Sequence, residues 1–153
     1  MILVDTRERK WDHVKAVMEA SGIEYEVRKL DYGDYMVPGG SVSVDRKHNL
    51  DELAMNLCTG DSRRFWNEVR NAKRHGIKLI VLCEHSRNVK EPRDVLGWRS
   101  QHSRITGDRL FRAMFEVSAA YGVEFRFTDK RHTGQRIMEL LGVNDGKARM
   151  DQN

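Results

Sequence analysis

The sequence predicts an α/β domain built on a mixed β-sheet flanked by helices. Three observations predict it. Short, branched apolar runs at residues 2–4 and 77–83 are of the kind buried on both faces of a sheet. Apolar residues recur at helical spacing in five further stretches. Residues 34–47 alternate around a Pro-Gly-Gly turn, which adds a hairpin to strands otherwise joined through helices.

The elements follow in order. Ile2-Leu3-Val4 is a strand that ends in Asp5-Thr6-Arg7-Glu8, and the C-terminal ends of strands are where open α/β sheets place their sites. Trp11, Val14, Val17 and Met18 mark a helix stopped by Gly22. Ile23, Tyr25 and Val27 alternate with Glu24, Glu26 and Arg28 as in a half-buried strand. Around Pro38-Gly39-Gly40, Tyr35 and Val37 on one side and Val42 and Val44 on the other form the two arms of a β-hairpin.

Asn49 caps a helix that carries Asp51 and Glu52 in its first turn, buries Leu50, Leu53, Ala54 and Leu57, and ends at Gly60. The next helix, about 62–75, turns Phe65, Trp66, Val69 and Ala72 inward and surrounds them with Arg63, Arg64, Arg70, Lys73 and Arg74. After the strand at 77–83, closed by Glu84, residues 85–104 lose all periodicity. This basic segment, with Arg87, Lys90, Arg93, Arg99 and Arg104, is expected to close over a substrate. A helix through Leu110, Phe111, Met114, Phe115 and Val117, a strand at 123–127 and a last helix with Ile137, Met138, Leu140 and Leu141 complete a domain over 1–142. Residues 143–153 are expected to form a flexible tail.

At 153 residues and 17.8 kDa the chain suits one domain with one proper core. No apolar run approaches the roughly 20 residues of a membrane helix, and Asp5 comes too early for a signal peptide, so a cytoplasmic protein is expected. Cys58 and Cys83 lack metal-ligand spacing and read as free thiols, and the six histidines read mostly as solvent-facing. A net charge of +4 leans only mildly toward nucleic acid.

The chemistry lies in the hairpin. If its tight loop is Gly39-Gly40, Pro38 faces Ser41 and Asp34 lies directly opposite Asp45, with Cβ atoms roughly 5 Å apart. Like charges at that distance call for a compensating cation. Alternation brings Lys47 out beside Asp45 and sends Arg46 to the other face. Two carboxylates suit Mg²⁺, which binds through one or two protein carboxylates together with water and a substrate phosphate. Bound cation activates water and steadies the phosphate under attack, and Lys47 would neutralise developing charge. On spacing alone, a surface hairpin with solvated charges is the commoner outcome.

Gly33-Asp34, ten residues, Asp45-Arg46-Lys47, three residues and Asp51 together resemble the GD-Xn-ERK-XXX-D nuclease motif of the XPF/Mus81 (ERCC4) family. Val4-Asp5-Thr6-Arg7-Glu8 resembles the family's opening strand motif, and residues 79–84 its later strand ending in glutamate. The likeness runs from about residue 2 to 141. It implies a restriction-endonuclease-like fold and an Mg²⁺- or Mn²⁺-dependent DNA endonuclease acting on flap, branched or junction DNA in repair or recombination. Carried over, Asp34, Asp45, Lys47 and Arg46 would be catalytic, with Arg46 contacting phosphate or bracing the site. Metal would fall to Asp34 and Asp45, with Asp5 and Glu8 flanking them, and Glu84 is a weaker candidate.

The family's glutamate is Asp45 here, one methylene shorter. Arg7, Arg63, Arg64, Arg70, Lys73 and Arg74 are candidate DNA contacts. Trp98 beside Arg99 is a candidate stacking platform. For Asp51 a helix-dipole role competes with a functional one. The likeness also implies a homodimer through the last two helices. A bacterial or phage protein is the expectation by analogy, and the alternative to an active enzyme is an idle module of the same fold that binds DNA or pairs with an active partner.

Overall fold

The computed structural model describes residues 1–60 and 62–143. Six strands form one sheet in the order β2-β1-β3-β4-β5-β6. They are β1 (Ile2–Val4), β2 (Tyr25–Val27), β3 (Tyr35–Met36), β4 (Val42–Lys47), β5 (Lys78–Glu84) and β6 (Glu124–Thr128). Only β3 runs against its neighbours; β1 pairs β2, β4 pairs β5, and β5 pairs β6 in parallel. The C-terminal ends of five strands therefore meet the N-terminal end of β3 along one edge of the sheet, where Asp5, Asp34, Lys47 and Glu84 fall.

Helices cover both faces. Leu79, Val81 and Cys83 on β5 pack with α2 (Leu50–Cys58), α3 (Arg63–Arg74) and α4 (Gly107–Tyr121). Ile2, Val4, Val44 and Leu82 pack with α1 (Asp12–Ala20) and α5 (Thr133–Leu141) on the other side. The last two helices thus lie on opposite faces, and a dimer contact using both would have to wrap around the β6 edge. Among the described residues no helix is long and apolar enough to cross a membrane.

The hairpin register is the one expected, with Tyr35 paired to Val44 and Met36 to Ser43; Asp34 lies just before β3, its amide donating to the Val44 carbonyl, and its carboxyl comes near that of Asp45. The turn itself differs. It centres on Pro38-Gly39, with the Gly40 amide donating to the Val37 carbonyl at 2.9 Å and Gly39 at φ +71°. Pro38 presets the first central position and Gly39 takes the left-handed second, leaving the slack on the β4 side and the register unchanged.

Gly33 enters β3 at φ +76°, and a β-carbon there would run into the Ser43 hydroxyl. That hydroxyl donates to the Tyr32 carbonyl at 2.8 Å. Gly33→Ala combines left-handed strain with a clash, so we expect a loss of about 2 to 4 kcal/mol. In a thermal melt this appears as a fall of roughly 4 to 16 °C.

Other expectations needed correction. Val27 is 52% exposed, because β2 is a three-residue edge strand and only its start is covered, by Trp11 against Tyr25. Phe115, placed in the apolar pattern of α4, is 70% exposed. The segment 85–104 is not structureless: Pro92–Gly97 forms a 3-10 helix that packs against α4, and it lies away from the hairpin carboxylates. Val143 still belongs to the domain, its amide donating to the Met138 carbonyl at 2.9 Å; the rest of the expected tail, 144–153, lies outside the described residues. Cys58 and Cys83 are free, as expected.

Candidate active site

A cleft of about 760 Å³ opens at the C-terminal edge of the sheet. Its walls come from the loop after β1, the start of β3, the end of β4, the first turns of α2, and α3. Asp34 is fixed by its backbone, which donates to the Val44 carbonyl at 2.8 Å and accepts from the Asp5 amide at 2.8 Å. Its Oδ2 accepts from the Arg46 amide at 2.8 Å. Burial, then the charge of Asp45, then that of Glu8 push the Asp34 carboxyl well above the ordinary carboxylate range.

Asp45 and Lys47 are both buried and emerge on the same face. Lys47 Nζ stands 3.1 Å from Asp45 Oδ2, an ion pair by distance whose angles do not make a hydrogen bond. That buried oxygen has no hydrogen-bond donor among the described residues. The Lys47 ammonium also sits 4.7 Å over the Phe65 ring of α3. Burial works against its charge, but Asp45, Glu52 and Asp34 outweigh it and raise its pKa. Lys47 is therefore a fixed cation at neutral pH and no proton acceptor.

Behind this pair, Arg46 projects to the opposite face with a fully buried side chain. Its guanidinium holds Glu8 through two contacts, 2.9 and 3.1 Å, and reaches Glu84 at 3.3 Å. Glu84 is fixed in turn by the Thr133 hydroxyl at 2.6 Å and His13 at 2.7 Å. Burial alone would raise the Glu84 pKa; the hydrogen bonds from Thr133 and His13, with the charge of Arg46, hold it low. Of the two roles inferred for Arg46, the geometry matches the brace. His13 is not solvent-facing as expected, and neither is His85, whose Nδ1 accepts from the Leu50 amide at 3.3 Å.

The remaining candidates divide. Glu8 lines the cleft, tied to Arg46. Asp5 does not line it: Oδ1 accepts from the Leu30 amide at 2.8 Å and Oδ2 from Arg7 Nε at 2.9 Å, which makes Asp5 an anchor for two chain segments. Asp51 accepts from Ser100 Oγ at 2.6 Å and so ties the 99–106 loop to α2. Arg7 and Arg64 line the cleft, while Arg63, Arg70 and Arg74 are exposed outside it.

Lys73 caps the C-terminal end of α4, donating to the Ala120 carbonyl at 2.6 Å. Trp98 is partly buried against the core, and neither it nor Arg99 lines the cleft.

Sequence reasoning missed Glu68, Glu52, Arg9 and Lys10, all in the cleft wall. Glu68 was findable: Phe65, Glu68, Val69 and Ala72 fall at i, i+3, i+4 and i+7, so an acid stands in the buried stripe of a basic helix. Burial, then the charge of Asp45, raise its carboxyl to about 7 against the opposing pull of Lys47, Arg7 and Arg64. A carboxyl raised on folding contributes stability below its unfolded pKa and loses it as pH rises through about 7. In EDTA, Glu68→Gln is expected to melt with wild type at pH 4 and above it at pH 8. A gain of about 2 kcal/mol corresponds to roughly 4 to 8 °C.

The mixed six-stranded sheet flanked by helices matches the fold of the XPF nuclease domain. The ERCC4 domain model matches residues 4–141, and the chain belongs to that family. XPF from Aeropyrum pernix superposes with a TM-score of 0.68 at 23% identity, covering 92% of this chain and 62% of that one. The same protein in complex with DNA gives 0.68 at 22% identity, covering 99% and 66%. This chain thus spans less than two thirds of the first of these. No curated protein sequence matches it.

Proposed function

We propose that this domain is a divalent-cation-dependent DNA endonuclease that hydrolyses phosphodiester bonds, selective for flap, branched or junction DNA. One observation carries the reading: a buried Asp45 oxygen without a hydrogen-bond donor among the described residues, beside the buried Asp34 carboxyl and the Lys47 ammonium 3.1 Å away. That donor set fits a hard cation. Among the described residues no three acidic, imidazole or thiol side chains converge to hold a metal alone. Two carboxylates are what Mg²⁺ or Mn²⁺ needs when water and a substrate phosphate complete its shell.

Asp34 and Asp45 would hold the ion, which when bound supplies an activated water and charge neutralisation at the phosphate. The chain's own residues do the rest. Lys47, clamped between Asp45 and the Phe65 ring, presents positive charge where a phosphorane-like transition state gathers negative charge. Arg46 leaves no freedom to Glu8 and, through its amide, sets the Asp34 carboxyl. Arg64 on α3 supplies further attraction for the nucleic-acid backbone from the cleft wall. The DNA complex of the Aeropyrum pernix XPF supports nucleic acid as the ligand class.

The test is incubation of the purified chain with labelled duplex, single-stranded, flap and four-way DNA in Mg²⁺, Mn²⁺ or EDTA. Cleavage is expected with either cation, on branched substrates first, and none in EDTA. Cleavage that persists in EDTA would overturn the mechanism, and binding without cleavage under both cations would favour an idle DNA-binding module.

A further inference from the structure

The loop after β1 carries charge that the hydrolytic residues do not use. Lys10 adopts φ +50°, alone among the described non-glycine residues. The conformation is held from beneath: Arg46 Nη2 donates to the Arg9 carbonyl at 2.6 Å and to the Lys10 carbonyl at 3.4 Å. The Arg9 amide in turn donates to Glu8 Oε1 at 2.9 Å. Left-handed backbone at a lysine persists only where its surroundings over-determine it, and such residues concentrate at binding sites.

What the strained turn achieves is visible in the side chains. Arg9 and Lys10 are exposed at the cleft edge, and neither pairs with a carboxylate among the described residues. Arg64 of α3, also exposed, lines the same cleft. Besides these three the cleft is lined by five acids, Glu8, Asp34, Asp45, Glu52 and Glu68, against three cations, Arg7, Arg46 and Lys47. Acids outnumber cations there, so attraction that seats a polyanion gains most from the exposed Arg9, Lys10 and Arg64.

We propose that Arg9 and Lys10 form a phosphate subsite for the nucleic-acid strand beside the scissile bond, held in place by the buried Arg46. The proposal rests on the nuclease reading and deepens it, since it assigns strand seating to a loop separate from the carboxylates and makes it independent of the cation. Arg46 then has two tasks in one group: it braces Glu8 on one side and builds the clamp on the other. The subsite reads backbone charge, not base sequence.

The test is fluorescence anisotropy of a labelled duplex with the full chain in EDTA, over a series of KCl concentrations. Wild type, Lys10→Gly, Arg9→Gln and the double variant are compared, with Lys78→Gln as a control at the opposite edge of the sheet. Wild type is expected to bind, and each single variant to reduce the slope of log K against log[KCl] by about 0.9, the double by about twice that. Lys78→Gln should leave the slope alone.

Glycine accepts positive φ, so Lys10→Gly should melt at or above wild type, which separates lost charge from lost folding. A wild type that binds while Lys10→Gly and Arg9→Gln keep its slope would overturn the subsite and leave the hydrolytic reading standing. An equal drop in Lys78→Gln would reduce the effect to net charge and overturn it too. A wild type that neither binds nor cleaves would remove both readings together.

Discussion

Asp34→Asn should abolish cleavage while making the cation-free protein more stable. In the folded protein, burial and the neighbouring charges of Asp45 and Glu8 push this carboxyl upward. A carboxyl whose pKa rises on folding contributes stability below its unfolded pKa, and that stability is lost as pH rises through the folded value. Asparagine keeps the shape and the oxygen that accepts from the Arg46 amide, but never has to ionise. In EDTA at pH 8 the variant should therefore melt above wild type, and at pH 3 the two should converge.

Activity should move the other way. Removal of a supporting residue around a metal commonly costs 10- to 100-fold, so loss of a ligand should exceed about 100-fold. Added Mg²⁺ should raise the melting temperature of wild type and not that of the variant, because a ligand stabilises only the state that binds it. A variant that cleaves normally, or melts lower at pH 8 in EDTA, would contradict the placement of Asp34.

The second large effect belongs to Arg46→Ala. The side chain is fully buried and serves Glu8, Glu84 and the carbonyls of Arg9 and Lys10 at once. Removing it deprives the buried Glu8 of its guanidinium and leaves Glu84 to Thr133 and His13, and breaking a buried pair from one side costs about 3 to 5 kcal/mol. For a chain of this size that is a fall of roughly 6 to 20 °C in melting temperature. Lysine should not rescue it, since one ammonium cannot match a planar fork with five donors. A variant that melts within a degree or two of wild type would show that Arg46 is no brace.

The sequence carried the sheet, the helices and the centre of the site for identifiable reasons. The register of the hairpin followed from assuming a Gly39-Gly40 loop, and the pairing of the two buried residues Tyr35 and Val44 agrees with it. Its turn was misplaced by a residue: a Pro38-Gly39 turn closes 37 against 40, and two extra residues on the β4 side restore the register of the ladder. Strand periodicity put Asp45 and Lys47 on one face, and the family resemblance made that face a candidate site.

What escaped was set by tertiary contacts that no local pattern encodes. Asp5 and Asp51 were weighed as site residues but turn out to hold backbone and loop, Asp5 through Leu30 and Arg7, Asp51 through Ser100. Trp98 beside Arg99 suggested a stacking platform, yet both lie outside the cleft and the tryptophan is partly buried against the core at the end of the 3-10 helix. Glu68 was hidden by the five basic residues around it, although its place in the apolar stripe was readable. The strained loop at Arg9 and Lys10 could not be read, because its shape comes from Arg46, some 36 residues further along the chain.

The shared pocket of Asp34, Asp45 and Lys47 is tested most directly by an anomalous difference map from crystals of the chain grown in Mn²⁺. A peak in contact with the carboxylates of both Asp34 and Asp45, absent from crystals of Asp34→Asn, is the expected result. Manganese bound elsewhere, or a cleft that stays empty at saturating cation, would contradict it.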